Sequence, residues 1–182
     1  QPLKCWNVRK VTTMYRMFYK AKNFNQDLRI WPVEDLVEPS EFGNLSDDFT
    51  PKWDSKNGTV FEKRTDLNTA VKKWLNNELN TANEYGHISK WDVSAITDFS
   101  NLFNNGVIID GVIIDTTDFN EDLSCWDVSN ANDMSNMFAG AAAFNQPLDN
   151  WDVSKVTYMS FMFAGAANFN QPLNDWDVSN ID

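Results

Sequence analysis

Apolar positions in the last third of the chain recur in a fixed order. Leu148, Trp151, Val153, Val156, Met159, Met162, Phe163, Ala166 and Phe169 set out one unit. The tryptophans at 126, 151 and 176 stand 25 residues apart, and the residue types between them repeat as well. Around Trp151-Asp152-Val153 apolar and polar positions alternate, which predicts a strand. Met159, Met162 and Phe163 fall at i, i+3 and i+4, which predicts a turn or two of helix, with Thr157 as N-cap and Gly165 at its end. A strand, a short helix and a return within about 25 residues predict an α/β fold: a leucine-rich-repeat-like solenoid of strand-plus-short-helix repeats. One such unit cannot bury its own apolar face, so neighbours must stack. Stacking aligns Trp91, Trp126, Trp151 and Trp176 as a structural ladder, with Met134, Met137 and Phe138 above Met159, Met162 and Phe163 as a second apolar row.

The same pattern divides the chain. Residues 1–31 are the end of a first repeat block in diverged form: Trp6, Val8, Val11, Met14, Met17-Phe18, Ala21 and Phe24-Asn25-Gln26 match the unit, and Trp31 follows Trp6 by 25 residues. Residues 32–64 are an acidic excursion punctuated by Pro32, Pro39 and Pro51, with a hairpin expected at Asn57-Gly58. Over 65–86 the spacing of Leu67, Ala70, Val71, Trp74, Leu75, Leu79, Ala82 and Tyr85 predicts one amphipathic helix, started by Thr65 and stopped by Gly86. Such a helix caps the exposed end of a repeat stack. Residues 87–182 are the second repeat block, so that the solenoid comes in two blocks and the second carries the cap helix at its N-terminal side. Its first repeat is enlarged by an insert at about 104–118 holding the doublet Val107-Ile108-Ile109 and Val112-Ile113-Ile114, with Asp110-Gly111 between. A small hairpin standing off the stack is expected there. Left exposed it would be adhesive, so it either folds onto its own chain or meets a partner.

Charge narrows the partners. Fifteen Lys and Arg against 26 Asp and Glu give a net charge of −11, without the basic patch that nucleic acid requires. Apolar runs such as Val112-Ile113-Ile114 fall far below a membrane span. Aromatic residues at 14% need burial and argue for a folded chain. Cys5 and Cys125 each precede a tryptophan and are expected to be free thiols, a bridge between blocks or molecules being the alternative. His87, the single histidine, has no nucleophile at a suggestive spacing and reads as a packing residue. The expectation is therefore a protein that is not an enzyme and holds no cofactor. The recurrent polar candidates are Asp92, Asp127, Asp152 and Asp177, one after each tryptophan. Stacked, these carboxylates would repel. Either nearby Ser or Thr hydroxyls and backbone N–H groups hold them, or the row binds Ca²⁺ or a basic partner.

The repeat, carried by Trp126-Asp127-Val128-Ser129-Asn130, Asp133-Met134-Ser135-Asn136-Met137-Phe138 and Phe144-Asn145-Gln146-Pro147-Leu148, resembles that of the BspA-like leucine-rich-repeat surface proteins. That type is also described as a Mycoplasma-lipoprotein-associated repeat domain of unknown function. The resemblance covers 88–182 closely, 1–31 loosely and 32–64 not at all. It implies a solenoid that is extracellular or on the cell surface, with adhesion or protein binding as its role. The expected function is a structural or protein–protein interaction module with no membrane span. The alternatives are an adhesion domain using the acidic, Ca²⁺-dependent strand face, and a component of a virion, filament or other large assembly. Both chain ends fall inside a repeat, so a longer array or self-association through the solenoid ends is expected.

Overall fold

The computed structural model describes residues 58–109 and 111–182, together with Trp6, Val11 and Met17. The chain divides into two compact units, Gln1–Asn57 and Gly58–Asp182. The excursion expected from residue 32 onward lies outside the described residues as far as 57.

The second unit opens with an extended piece. Val60 bridges in parallel with Asp92, through Phe61 N–H to Asp92 O (2.8 Å) and Asp92 N–H to Thr59 O (3.0 Å). The hairpin partner expected before Asn57-Gly58 lies outside the described residues, whereas this side pairs with the first repeat. Helix α1 spans Arg64–Asn76 and α2 spans Glu78–Tyr85, so two helices occupy the region where the spacing predicts one. Asn77 is the break: its backbone (φ −159, ψ 88) leaves the helical region, and its side chain caps α2 by accepting from Asn80 N–H. The restart shifts the phase of the helix. Leu79, assigned to the apolar stripe by uninterrupted periodicity, is exposed, and Thr81 is buried in α2 instead. Gly86 follows α2 at φ 76, where a side chain would be strained. Leu67, Ala70, Val71 and Trp74 bury α1 on the first repeat, with Trp74 edge-on to Trp91 at 5.9 Å.

The repeats stack, but their backbone ladder lies in an unexpected place. Met134, Asn136, Phe138 and Gly140 donate their N–H groups to the carbonyls of Tyr158, Ser160, Met162 and Ala164 in the following repeat, at 2.7–2.9 Å. One repeat earlier, Phe99, Asn101, Phe103 and Asn105 donate in the same way to Asp133, Ser135, Met137 and Ala139. Parallel bridges link Asp98, Asp133 and Tyr158 accordingly. The short helix predicted for this segment does not form. Its remaining peptides close successive turns instead, Met137 N–H to Met134 O (3.1 Å) and Ala139 N–H to Asn136 O (3.1 Å). Asn101, Asn136 and Phe161 occupy the left-handed region at the same repeat position (φ 58, 56 and 58), so each repeat bends its backbone there in the same way. The Trp-Asp-Val segments predicted as strands carry no assigned strand. A packed row of neighbours rewards peptides aimed across the stack, and isolated helical turns of this length hold little stability of their own.

Within these two segments the cross-repeat N–H groups point toward the following repeat, whereas Asn132, Thr157 and Asp182 donate back to Thr97, Asn132 and Thr157. The carbonyls of Asp98 and Ser100, at the position where Asp133 and Ser135 accept from the repeat before them, receive a side chain instead. Arg64 fills that role: its guanidinium donates to the carbonyls of Asp98 and of Ser100, the latter at 2.5 Å. Burial lowers the proton affinity of this guanidinium, and Asp98 and Asp133 oppose that effect.

Inside the stack, aromatic rings form columns. Phe103, Phe138 and Phe163 stack at 5.5 and 5.6 Å, and Phe119, Phe144 and Phe169 at 6.0 and 5.9 Å. Within a repeat the two columns touch, as at Phe138–Phe144, 4.1 Å apart. Trp91 lies over Trp126 at 6.4 Å, and Trp151 over Trp176 at 6.5 Å. Each indole N–H reaches back to a carbonyl of the preceding turn: Trp126 to Ile88, Trp151 to Leu123 and Trp176 to Leu148 (2.9–3.0 Å). The tryptophan thus locks the register as well as filling the core. Phe144, Met134, Met137 and Phe138 are fully buried, whereas Met159, Phe163, Phe169 and Trp176 are only half-buried.

Candidate functional site

The acidic row is held locally. Asp92, Asp127, Asp152 and Asp177 each accept, on Oδ1, the backbone N–H of the serine two residues on (3.0–3.1 Å). Ser94 and Ser154 add their hydroxyls at 2.7 and 2.6 Å. These are Asx turns at the corner of each repeat. The hydroxyl and N–H of Ser154 hold the Asp152 carboxyl below its usual range, and those of Ser179 do the same for Asp177. Among the described residues no group of three or more Asp, Glu, His or Cys side chains is placed to hold a metal ion. Asp127, Asp152 and Asp177 are nonetheless exposed, so the row shows negative charge to solvent.

The depressed carboxyl of Asp152 makes a pH prediction. A group whose folded pKa lies below its unfolded value of 3.8 stabilises the fold above that pH and loses its contribution as pH falls through the folded value. Thermal melts from pH 6 down to pH 2 should show the melting temperature dropping below about pH 4. In Asp152→Asn, which keeps an acceptor but cannot titrate, the drop should be smaller. An identical acid limb in the variant would remove Asp152 from the account.

A second set of Asx turns escaped sequence reasoning. Asp98 and Asp133 accept from Ser100 and Ser135 N–H at 2.8 Å, and Asp98 pairs with Arg64 Nη1 at 3.4 Å. The Asp-x-Ser spacing was visible in the sequence. The role of Arg64 was not, because the carbonyls it bonds lie 34 and 36 residues away.

The insert folds as a hairpin. Strand β1, Ile108–Ile109, pairs antiparallel with β2, Val112–Ile113, in the register Ile108 to Ile113 and Ile109 to Val112. Gly111 sits at φ 79, as a two-residue turn demands. Val107 and Ile114 form its base, Ile114 N–H donating to Val107 O at 2.9 Å. Ile114 is buried in the stack, and Thr116 anchors the return by donating to Phe103 O (2.9 Å). Beyond the base, the apolar side chains turn outward: Ile108 is 65% and Ile113 69% exposed, and Val112 is also exposed. Ile108, Val112 and Ile113 are thus left open to solvent.

His87 packs edge-on against Trp74 at 4.9 Å and reaches Glu121 at 3.7 Å. Burial raises the Glu121 carboxyl, and His87 opposes that shift. Cys125 corrects the free-thiol expectation: it is disulfide-bonded. Cys5 lies outside the described residues.

A register kept by recurring Trp, Phe and Asn side chains, with a 25-residue offset between equivalent bonds, defines a repeat protein. The family described as Mycoplasma protein of unknown function, DUF285, matches residues 1–55, 40–107 and 76–182. The chain belongs to that family. The matches also run through 32–64, the stretch expected to fall outside any resemblance. No curated protein and no solved structure matches the chain.

Proposed function

We propose that the chain is a non-enzymatic module for protein–protein interaction, displayed on the cell surface or outside the cell. It would be built on the leucine-rich-repeat-like solenoid plan of the BspA-like surface proteins. The observation that carries the reading is the inserted hairpin. A stiff stack, laced by backbone bonds and aromatic columns, holds out Ile108, Val112 and Ile113 to solvent on the insert of the repeat that begins at Trp91. Exposed apolar side chains on a rigid support are the usual mark of a binding surface. The disulfide at Cys125 supports an oxidising location.

A second reading rests on the exposed carboxylates of Asp127, Asp152 and Asp177, which offer a regular acidic edge to a basic partner. The two readings separate by mutation. Surface plasmon resonance against immobilised extracellular proteins should find saturable binding that Ile108→Ser with Ile113→Ser weakens at least tenfold. The melting temperature should stay unchanged, because both side chains are already in water. Unaltered affinity in that double variant would overturn the hairpin reading. Loss of binding in Asp127→Asn with Asp152→Asn would favour the acidic edge.

A further inference from the structure

We propose that the hairpin binds its partner by strand addition: the outer edge of β2, centred on Ile113, takes a third strand from a basic, extended segment of another protein. The inference deepens the interaction-module reading by naming the partner's chemistry, and it rests on that reading.

The register of the hairpin fixes which main-chain groups are open. Antiparallel pairs alternate between those that exchange hydrogen bonds and those whose N–H and C=O groups point outward. Ile114 N–H donates to Val107 O at 2.9 Å, so 107 and 114 are a bonded pair. Ile108 and Ile113 come next in the register and are therefore the outward pair. Among the described residues no neighbouring segment bonds to their N–H or C=O groups.

The two edges are not equivalent. The edge of β1 is interrupted, because Gly106 N–H turns inward to Ile114 O at 2.7 Å. On the β2 side, Ile114 directs both of its main-chain groups inward, to Val107 and Gly106. Alternation therefore carries the outer edge from Ile113 to Asp115. The stack leaves this edge open, since Ile113 is 69% exposed and Asp115 is exposed as well. Natural edge strands are blunted by lysine or proline, and residues 107–118 hold neither. Ile108 and Ile113 lie opposite each other on one side of the ribbon, which gives an added strand an apolar row to continue.

Charge selects the occupant. Asp115 and Asp118 follow β2 in the sequence, and both are exposed. Thr117 N–H donates to Asp115 Oδ1 at 3.0 Å and holds that carboxyl below its usual range. Between Lys90 and Lys155 the sequence has no Lys or Arg to answer these carboxylates. A second copy, itself carrying −11, would set like charges against each other along the new strand pair. A segment with Lys or Arg beside its strand meets the same carboxylates as opposite charges.

The test uses the full 182-residue chain and a short synthetic peptide that alternates threonine and valine between terminal lysines. Fluorescence anisotropy of the labelled peptide should show saturable binding. Methylating the valine main-chain nitrogens keeps every side chain but removes donors, and should weaken binding at least tenfold. Replacing the terminal lysines by glutamates should weaken it to a similar degree. Hydrogen exchange followed by nuclear magnetic resonance should find the Ile113 amide slowed at least tenfold by the peptide, with the Ile108 amide unchanged. Absence of saturable binding, equal binding of the methylated peptide, equal binding of the glutamate peptide, or protection at Ile108 in place of Ile113 would each overturn the proposal. So would a chain that protects Ile113 by pairing with itself, which hands the edge to a second copy. The interaction-module reading is measured apart from this, by Ile108→Ser with Ile113→Ser against immobilised extracellular proteins. Partner binding lost in that variant, with the plain and methylated peptides binding alike, keeps the module and removes strand addition.

Discussion

Trp126→Ala is expected to destabilise the second unit by about 3–5 kcal/mol, the cost of emptying a large aromatic site in a packed core. Trp126 is buried between Trp91, Phe99 and Phe103, with ring centroids 5.9–6.4 Å away. Its indole N–H also satisfies Ile88 O at the junction between the cap and the stack. Truncation therefore removes packing and the indole hydrogen bond, leaving Ile88 O with the Trp91 N–H alone. Because each repeat touches only its neighbours, the loss should weaken both adjoining interfaces and make unfolding less cooperative. Urea titration followed by tryptophan fluorescence and by far-ultraviolet circular dichroism measures both effects. Trp176→Ala should cost clearly less, since Trp176 is only half-buried at the end of the column. Equal losses at the two positions would mean that the column does not carry the energy assigned to it.

Arg64→Ala is expected to cost about 2–3 kcal/mol, in the range of hydrogen bonds made by a charged group. The side chain does three things at once. It covers the carbonyls of Asp98 and Ser100, pairs with Asp98, and donates to Asn68 Oδ1 at 2.6 Å, which ties the first turns of α1 to the stack. Lysine keeps the charge but lacks the fork, so Arg64→Lys should recover only part of the loss. Denaturant midpoints for the three proteins check the order. A lysine variant as stable as the wild type would reduce Arg64 to a charge partner of Asp98 and remove its part in ending the ladder.

Local pattern and long-range packing contributed differently to the candidate surfaces. The Asp-x-Ser spacing is a short-range signal, and the hydrogen bonds it implies form within two residues of each carboxylate. The hairpin was equally legible, since β-branched triplets around Asp110-Gly111 specify a turn without help from elsewhere. Its exposure was not legible, because nothing in the triplets says whether a neighbouring repeat bends over them. Leu79 shows the opposite failure: periodicity continued through a break that depends on Asn77 capping a new helix.

The sequence by itself determined the repeat length and most positions of the core. The buried residues Leu123, Trp126, Val128, Met134, Met137, Phe138 and Phe144 are those the period marks as apolar. Hydrophobic burial follows residue type, so its trace survives in one dimension. Tertiary structure decided the direction of the peptides. Spacing of i, i+3 and i+4 describes which side chains share a face and is blind to where N–H and C=O groups point. Only the neighbouring repeat, 25 residues away at Tyr158–Ala164, could turn the segment 133–140 from a helical turn into a ladder. That choice turned alternate N–H groups of 134–140 toward the next repeat and left the carbonyls of Asp98 and Ser100 to Arg64.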